Sequence, residues 1–177
     1  MSKVLFLAGP SGSGKSFFAS RYLCKRGWLH LEIDRFPEDG IDVENIRSEW
    51  DYFLNRLRPG PLHRVLLGRA GSTTNIVLSF PGNLVFSQDH LRAGQGNFSF
   101  AYLYGHPAHC LQAFLDREQA TRRGLGADWW SSNNKNTFGC LSLSFNHPLL
   151  IETFTANGGR RDPEQIYGDV LRLIEES

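Results

Sequence analysis

Val4-Leu5-Phe6-Leu7-Ala8-Gly9-Pro10-Ser11-Gly12-Ser13-Gly14-Lys15-Ser16 joins an apolar run to a glycine-rich turn and a lysine–serine pair. From Gly9 to Ser16 it reads G-x-x-x-x-G-K-S, the pattern of a phosphate-binding loop. The residue types state the chemistry. Glycines let successive backbone N–H groups turn inward onto phosphate oxygens. Lys15 adds a point charge that reaches β- and γ-phosphates, and the Ser16 hydroxyl is a hard oxygen ligand suited to Mg²⁺. The expected nucleotide-binding segment is therefore Gly9, Pro10, Ser11, Gly12, Ser13, Gly14, Lys15 and Ser16, with Ser16 as the metal ligand. A chance match arises in on the order of one chain in a hundred of this length. The setting narrows that further: Val4–Ala8 reads as a buried strand and the residues from Phe17 to Leu23 as a helix, the context such a loop requires.

Working outward, the chain has 177 residues, 41% of them hydrophobic, enough for one globular domain with a substantial core. The formal net charge is +1, which gives no reason to expect a nucleic-acid or membrane partner. Fifteen arginines against four lysines supply groups that grip phosphate or carboxylate bidentately, although bulk composition explains the bias equally well. Cys24, Cys110 and Cys140 lack metal-ligand spacing, and an odd count suits reduced thiols in a cytoplasmic protein. The first strand begins almost at Met1, leaving no room for a targeting peptide, and no apolar run approaches membrane-spanning length.

Five strands are expected, at Lys3–Ala8, Leu29–Ile33, Asn75–Phe80, Ser99–Tyr104 and Leu149–Thr153. Helices are expected at Lys15–Lys25, Asp42–Leu57 with Asp42 as N-cap, Leu84–Ala93, Pro107–Arg123 and Pro163–Glu175. Alternating strands and helices predict an α/β layer fold with a mostly parallel sheet. The first and third strands are apolar almost throughout, as central strands are. The second alternates, with His30, Glu32 and Asp34 opposite Leu29, Leu31 and Ile33, as in an edge strand. Arg58-Pro59-Gly60-Pro61 reads as the end of a helix. The stretch from Gly124 to Asn146, with Trp129, Trp130 and the run Ser131-Ser132-Asn133-Asn134-Lys135-Asn136, reads as a long mobile excursion.

Candidate chemistry clusters where parallel strands end. Asp34 closes the second strand, placed to orient an acceptor hydroxyl, take its proton or hold a water on Mg²⁺; a turn cap is the plain alternative. Glu32, two residues back on the same face, is the second choice, and Arg35 is a further substrate contact. Arg117, Arg122 and Arg123 close the helix after the fourth strand, where cations stabilise a transferring phosphoryl group or simply the helix dipole. Spacing does not rank Arg117 against Arg123. The third strand ends Ile76-Val77-Leu78-Ser79 without the acid that motor and switch nucleotidases use to hold Mg²⁺. Gly82 and Asn83 after it form either a close approach for substrate or a turn. Arg92 is either a substrate contact or a solvated helix cap. His106, His109 and Cys110 read as a helix start rather than a metal site. Trp129 and Trp130 serve equally to stack on a base or to anchor a lid.

On these residues the chain resembles the small-molecule P-loop kinases of the shikimate kinase and gluconate kinase type. Gly9–Ser16 carries the match, supported by Leu31-Glu32-Ile33-Asp34, by Leu91-Arg92-Ala93-Gly94, and by Tyr102-Leu103-Tyr104-Gly105-His106-Pro107 with Arg117 and Arg122-Arg123. The resemblance implies an α/β three-layer sandwich with a five-stranded parallel sheet in the order 2-3-1-4-5. It implies a single domain over 1–177, with a substrate-side segment at 35–61 and a lid at 117–147, and ATP with Mg²⁺ as phosphoryl donor. The chain departs from the type at two points. Phe80-Pro81-Gly82-Asn83 stands where shikimate kinases have three glycines, and the His-Phe-Met of gluconate kinase lids is missing, so neither named substrate follows.

The expected activity is ATP-dependent phosphoryl transfer to a hydroxyl of a small metabolite. Lys15, Asp34, Arg117 and Arg123 are the catalytic candidates; Arg117 also contacts the nucleotide, and Asp34, Arg35, Gly82 and Arg92 face the acceptor. Two other readings stand beside it: a kinase for a nucleotide, nucleotide sugar or antibiotic, and a regulatory module that binds ATP without transferring it.

Overall fold

The computed structural model describes residues 2–33, 44–70, 74–80, 82, 84–143 and 149–175. Five strands, β1 (Val4–Ala8), β2 (Leu29–Glu32), β3 (Ile76–Ser79), β4 (Ser99–Tyr104) and β5 (Leu150–Glu152), form one sheet in the order β2-β3-β1-β4-β5. Every pairing is parallel, with Val4 beside Ile76, Leu5 beside Ser99, Leu29 beside Ile76 and Tyr102 beside Leu150. All strand C-termini therefore face one edge. That is the expected topology, with β2 on the rim and β1 at the centre.

Burial explains why β1 has no polar alternation. Val4, Phe6 and Ala8 join a core with Ile46, Trp50, Phe53, Leu62 and Leu66 on one side of the sheet. Leu5 and Leu7 join Phe18, Ala19, Leu23, Ile166, Val170 and Leu173 on the other. Both faces are covered, so every β1 side chain is buried. The first core belongs to α2 (Glu44–Arg56) and α3 (Pro59–Ala70). Phe6 is its hub, with the rings of Trp50, Phe80, Phe98 and Phe100 centred 4.3–5.4 Å away. The second core belongs to α7 (Pro163–Glu175) and to α1 (Lys15–Phe17), which continues as a π turn over Phe18–Leu23 and a 3₁₀ turn over Cys24–Arg26.

Three elements differ from expectation. Pro59-Gly60-Pro61 begins a helix instead of only ending one. Leu57 leaves α2 in the left-handed region (φ 56°), and Pro59 suits a first helical turn, where its missing N–H has no partner to lose. The helix expected from Leu84 begins only at Gln88, because Ser87 and His90 form a reciprocal capping box that fixes the start of α4 (Gln88–Gly94). The stretch read as a mobile excursion is in fact a helix over most of its length, α6 (Ala127–Leu143), following α5 (Pro107–Thr121). Trp130, Asn134 and Thr137 are its buried positions, one helical stripe at i, i+4 and i+7. Two of the three are polar, so hydrophobic periodicity does not reveal the helix. Asp42, expected as the α2 cap, lies outside the described residues.

Candidate functional site

The loop between β1 and α1 occupies the C-terminal edge of the sheet. Gly12 adopts φ 89° and lies so close to α5 that a Cβ there would stand 1.9 Å from the Cys110 carbonyl oxygen. Only glycine fits both the backbone and the space. Lys15 is 7% exposed, and its Nζ donates to the carbonyls of Gly9 (2.8 Å) and Pro10 (3.1 Å) across the rim of the loop. Ser13 is fully buried, and its hydroxyl has no hydrogen-bond partner among the described residues. A buried ammonium, an unpartnered buried hydroxyl and the opening amides of α1 on one turn make a donor set that fits a phosphate chain.

The polar face of β2 is turned toward this loop. Ser16 Oγ donates to Glu32 Oε1 at 2.5 Å, the short separation of a charge-assisted hydroxyl–carboxylate bond. One residue pair away, His30 Nε2 meets Ser79 Oγ at 2.8 Å. The end of β3 thus has a buried serine where an acid was sought, and the neighbouring strand supplies the carboxylate beside Ser16. Two oxygens, one anionic and one neutral, on side chains already in contact form a donor set suited to a hard divalent cation. Asp34 and Arg35, expected as the catalytic and substrate contacts, lie outside the described residues.

The helix α6 sits on the tip of the loop. Trp130 Nε1 donates to the Ser11 carbonyl (2.9 Å), and the Ser11 N–H donates to Asn134 Oδ1 (2.7 Å). Asn134 Nδ2 returns to the Trp130 carbonyl (2.7 Å), which fixes the amide's orientation. Thr137 Oγ1 donates to the Gly82 carbonyl (2.6 Å). Gly82 is packed so tightly that a Cβ would stand 2.4 Å from Ser11 Oγ and 2.6 Å from Asn134 Oδ1. Trp129 instead stacks on Phe114, ring planes 6° apart with centroids at 5.5 Å, and stays partly exposed. Sequence reasoning missed Asn134 and Thr137 because nothing in their neighbourhood marks them as buried.

Arg117 and Arg123 are brought together on one carboxylate. Glu118, 3% exposed, accepts from Arg117 Nη2 (2.9 Å) and Arg123 Nη2 (2.8 Å). Two cations against one anion leave this corner of α5 positive, and both guanidinium side chains remain about half exposed. Seven residues separate Arg117 from Cys110, whose carbonyl abuts Gly12, so Arg117 stands ~10 Å further along the helix axis. Arg122 ends the helix in the left-handed region. Arg92, on α4, is largely exposed, with Asp89 at 3.9 Å. His106 caps α5, its Nδ1 accepting from Ala108 N–H, and Cys110 is fully buried beneath the loop. Burial pushes the Cys110 thiol up to about 12, opposed by the positive charges of Arg160 and Lys15.

Sheet order, loop and flanking helices together define the three-layer fold of the P-loop kinases. Among solved structures, a gluconokinase from Sinorhizobium meliloti 1021 superposes with a TM-score of 0.53 at 18% identity, covering 98% of this chain and 94% of its own. A shikimate kinase from Bacteroides thetaiotaomicron gives 0.52 at 17% identity, covering 98% and 97%. A sugar kinase from Janibacter sp. HTCC2649 gives 0.52 at 17%, covering 99% and 95%. The similarity is one of fold over nearly the whole chain. No protein-family model and no curated protein matches the sequence. Among the described residues, no helix is long and apolar enough to cross a membrane.

Proposed function

We propose that this protein is an ATP-dependent kinase that phosphorylates a hydroxyl group of a small metabolite. The observation that carries the reading is the Ser16–Glu32 pair at the mouth of a complete phosphate-binding loop. A loop retained only as a turn has no need of a carboxylate aimed at its serine. The same pair offers the anionic metal contact that β3 lacks, which removes the missing acid as an argument for a module that merely binds nucleotide.

In this reading the opening amides of α1 and Lys15 hold the phosphates, and Ser16 with Glu32 holds Mg²⁺. Bound Mg²⁺ supplies charge neutralisation at the phosphate oxygens. Lys15 leaves the Gly9 and Pro10 carbonyls for a phosphate oxygen, exchanging neutral acceptors for an anionic one. Asp34 orients the acceptor hydroxyl and takes its proton, with Arg35, Gly82 and Arg92 on the acceptor side. Arg117 and Arg123 shift from Glu118 toward the transferring group as α6 and the end of α5 close as a lid over 117–147, excluding water. The fold shared with kinases for gluconate, shikimate and sugar supports a small polyhydroxylated or hydroxy-acid acceptor.

The test is ADP release from Mg-ATP over a panel of sugar acids, cyclic polyols, nucleosides, nucleoside monophosphates and aminoglycosides, with Lys15→Ala as control. Stimulation by sugar acids or polyols, lost in the variant, is the expected result. Stimulation by nucleosides or aminoglycosides moves the assignment to a larger acceptor. Stimulated release that survives in Lys15→Ala overturns the proposal.

A further inference from the structure

The outer rim of the loop is held by a residue that no motif marks. After β5 the chain makes a tight turn, with Thr155 N–H donating to the Gly159 carbonyl at 2.7 Å and a bridge between Phe154 and Arg160. The Arg160 guanidinium lies over the Phe154 ring, 4.0 Å from its centroid. From there Nη2 donates to the Gly12 carbonyl (2.8 Å) and Nη1 to the Ser13 carbonyl (3.1 Å). One planar cation thus spans two consecutive peptides of the loop.

Peptide geometry gives those bonds a consequence on the opposite side. In a trans peptide the N–H points away from the C=O. Drawing the Gly12 carbonyl outward turns the Ser13 N–H inward, where it donates to the Pro10 carbonyl at 3.2 Å and closes the inner turn. Drawing the Ser13 carbonyl outward turns the Gly14 N–H inward, next to the opening amides of α1. Gly12 and Gly14 have φ 89° and 96°, and glycine peptides reorient at little cost unless something outside holds them. A side chain at Gly14 would press on the same guanidinium, since its Cβ would stand 3.1 Å from Arg160 Nη1.

We propose that Arg160 is a positioning residue of the phosphate-binding loop, holding the Gly12 carbonyl outward so that the Ser13 N–H closes the inner turn, and the Ser13 carbonyl outward so that the Gly14 N–H faces a phosphate chain. Its Nη1 and Nη2 donate to carbonyl oxygens, whereas Nη2 of Arg117 and Nη2 of Arg123 face a carboxylate. The inference rests on the nucleotide reading given above.

Calorimetric titration with Mg-ADP tests it on the 177-residue chain and on Arg160→Met, Arg160→Lys, Arg160→Ala and the exposed control Arg172→Ala. Arg160→Met, which keeps the packing on Phe154, binds Mg-ADP about tenfold more weakly or worse. Arg160→Lys falls between Met and wild type, because an ammonium does not reproduce a fork across two carbonyls. Arg172→Ala binds as wild type. Millimolar methylguanidinium restores affinity to Arg160→Ala and leaves wild type unchanged. Affinity within twofold of wild type in Arg160→Met overturns the inference. So does a loss that follows a fallen melting temperature and ignores methylguanidinium, because Arg160 then only braces the turn. A wild-type protein that fails to bind Mg-ADP overturns the nucleotide reading and this inference with it, whereas intact wild-type binding confines a failure to Arg160.

Discussion

The loop has a floor and a roof, and they are built differently. The floor is the edge of the sheet, where Ser16 meets Glu32 and His30 meets Ser79 on strands locked in register. The roof is α6, a helix outside the sheet, attached through Trp130, Asn134 and Thr137. Moving the floor requires breaking strand ladders and two packed cores. Lifting the roof requires exchanging a few hydrogen bonds with water and exposing the small cluster of Cys110, Phe114, Trp130 and Phe154. Under the proposed kinase reading, chemistry that needs fixed geometry belongs to the floor and admission of ligands to the roof.

Four experiments break or sharpen that division. Lys15→Ala strikes the floor and has the largest effect, a loss of Mg-ATP turnover of about a hundredfold or more in the ADP-release assay. Asn134→Leu strikes the roof. It leaves the Ser11 N–H without its buried acceptor and lowers stability by ~2 kcal/mol, read as a fall of several degrees in melting temperature. If Asn134→Leu melts as wild type, α6 is not fastened through Ser11. Trp130→Phe keeps an aromatic ring but removes the donor to the Ser11 carbonyl and part of the buried indole, so ~1–2 kcal/mol is expected in the same measurement. The smallest perturbation is chemical. At pH 8 iodoacetamide labels exposed Cys24 quickly, while Cys110, buried under the loop with its thiol pushed up to about 12, is labelled in proportion to the time the roof spends open. Mass spectrometry of the labelled peptides then reports the population with the roof open, and Asn134→Leu raises it.

The floor is also the part that the amino-acid sequence announces. Gly9–Ser16 carries its geometry in its own residue types, and the apolar runs of β1 and, up to Ser79, of β3 mark strands buried on both faces. The α7 helix is read correctly to the residue, because Ile166, Val170, Leu173 and Ile174 spell its buried face in apolar side chains. The roof obeys the same periodicity with a different alphabet. Its buried positions at 130, 134 and 137 include an asparagine and a threonine, which find partners at residues 11 and 82, far away in the sequence. Arg160 was hidden for the same reason, since an arginine after the last strand carries no mark of the two carbonyls it holds. Glu32 was visible on the polar face of β2, yet its pairing with Ser16 depends on how β2 lies beside the loop.

The contacts that finish the loop span the length of the chain. Ser11 is joined to Trp130 and Asn134 across 119 and 123 positions, and Gly12 and Ser13 to Arg160 across 148 and 147. During synthesis the nucleotide motif leaves the ribosome well before its last brace, which follows Gly12 by 148 positions. A growing chain therefore displays the motif long before it owns the site, and a protein interrupted before residue 160 keeps the signature without the grip.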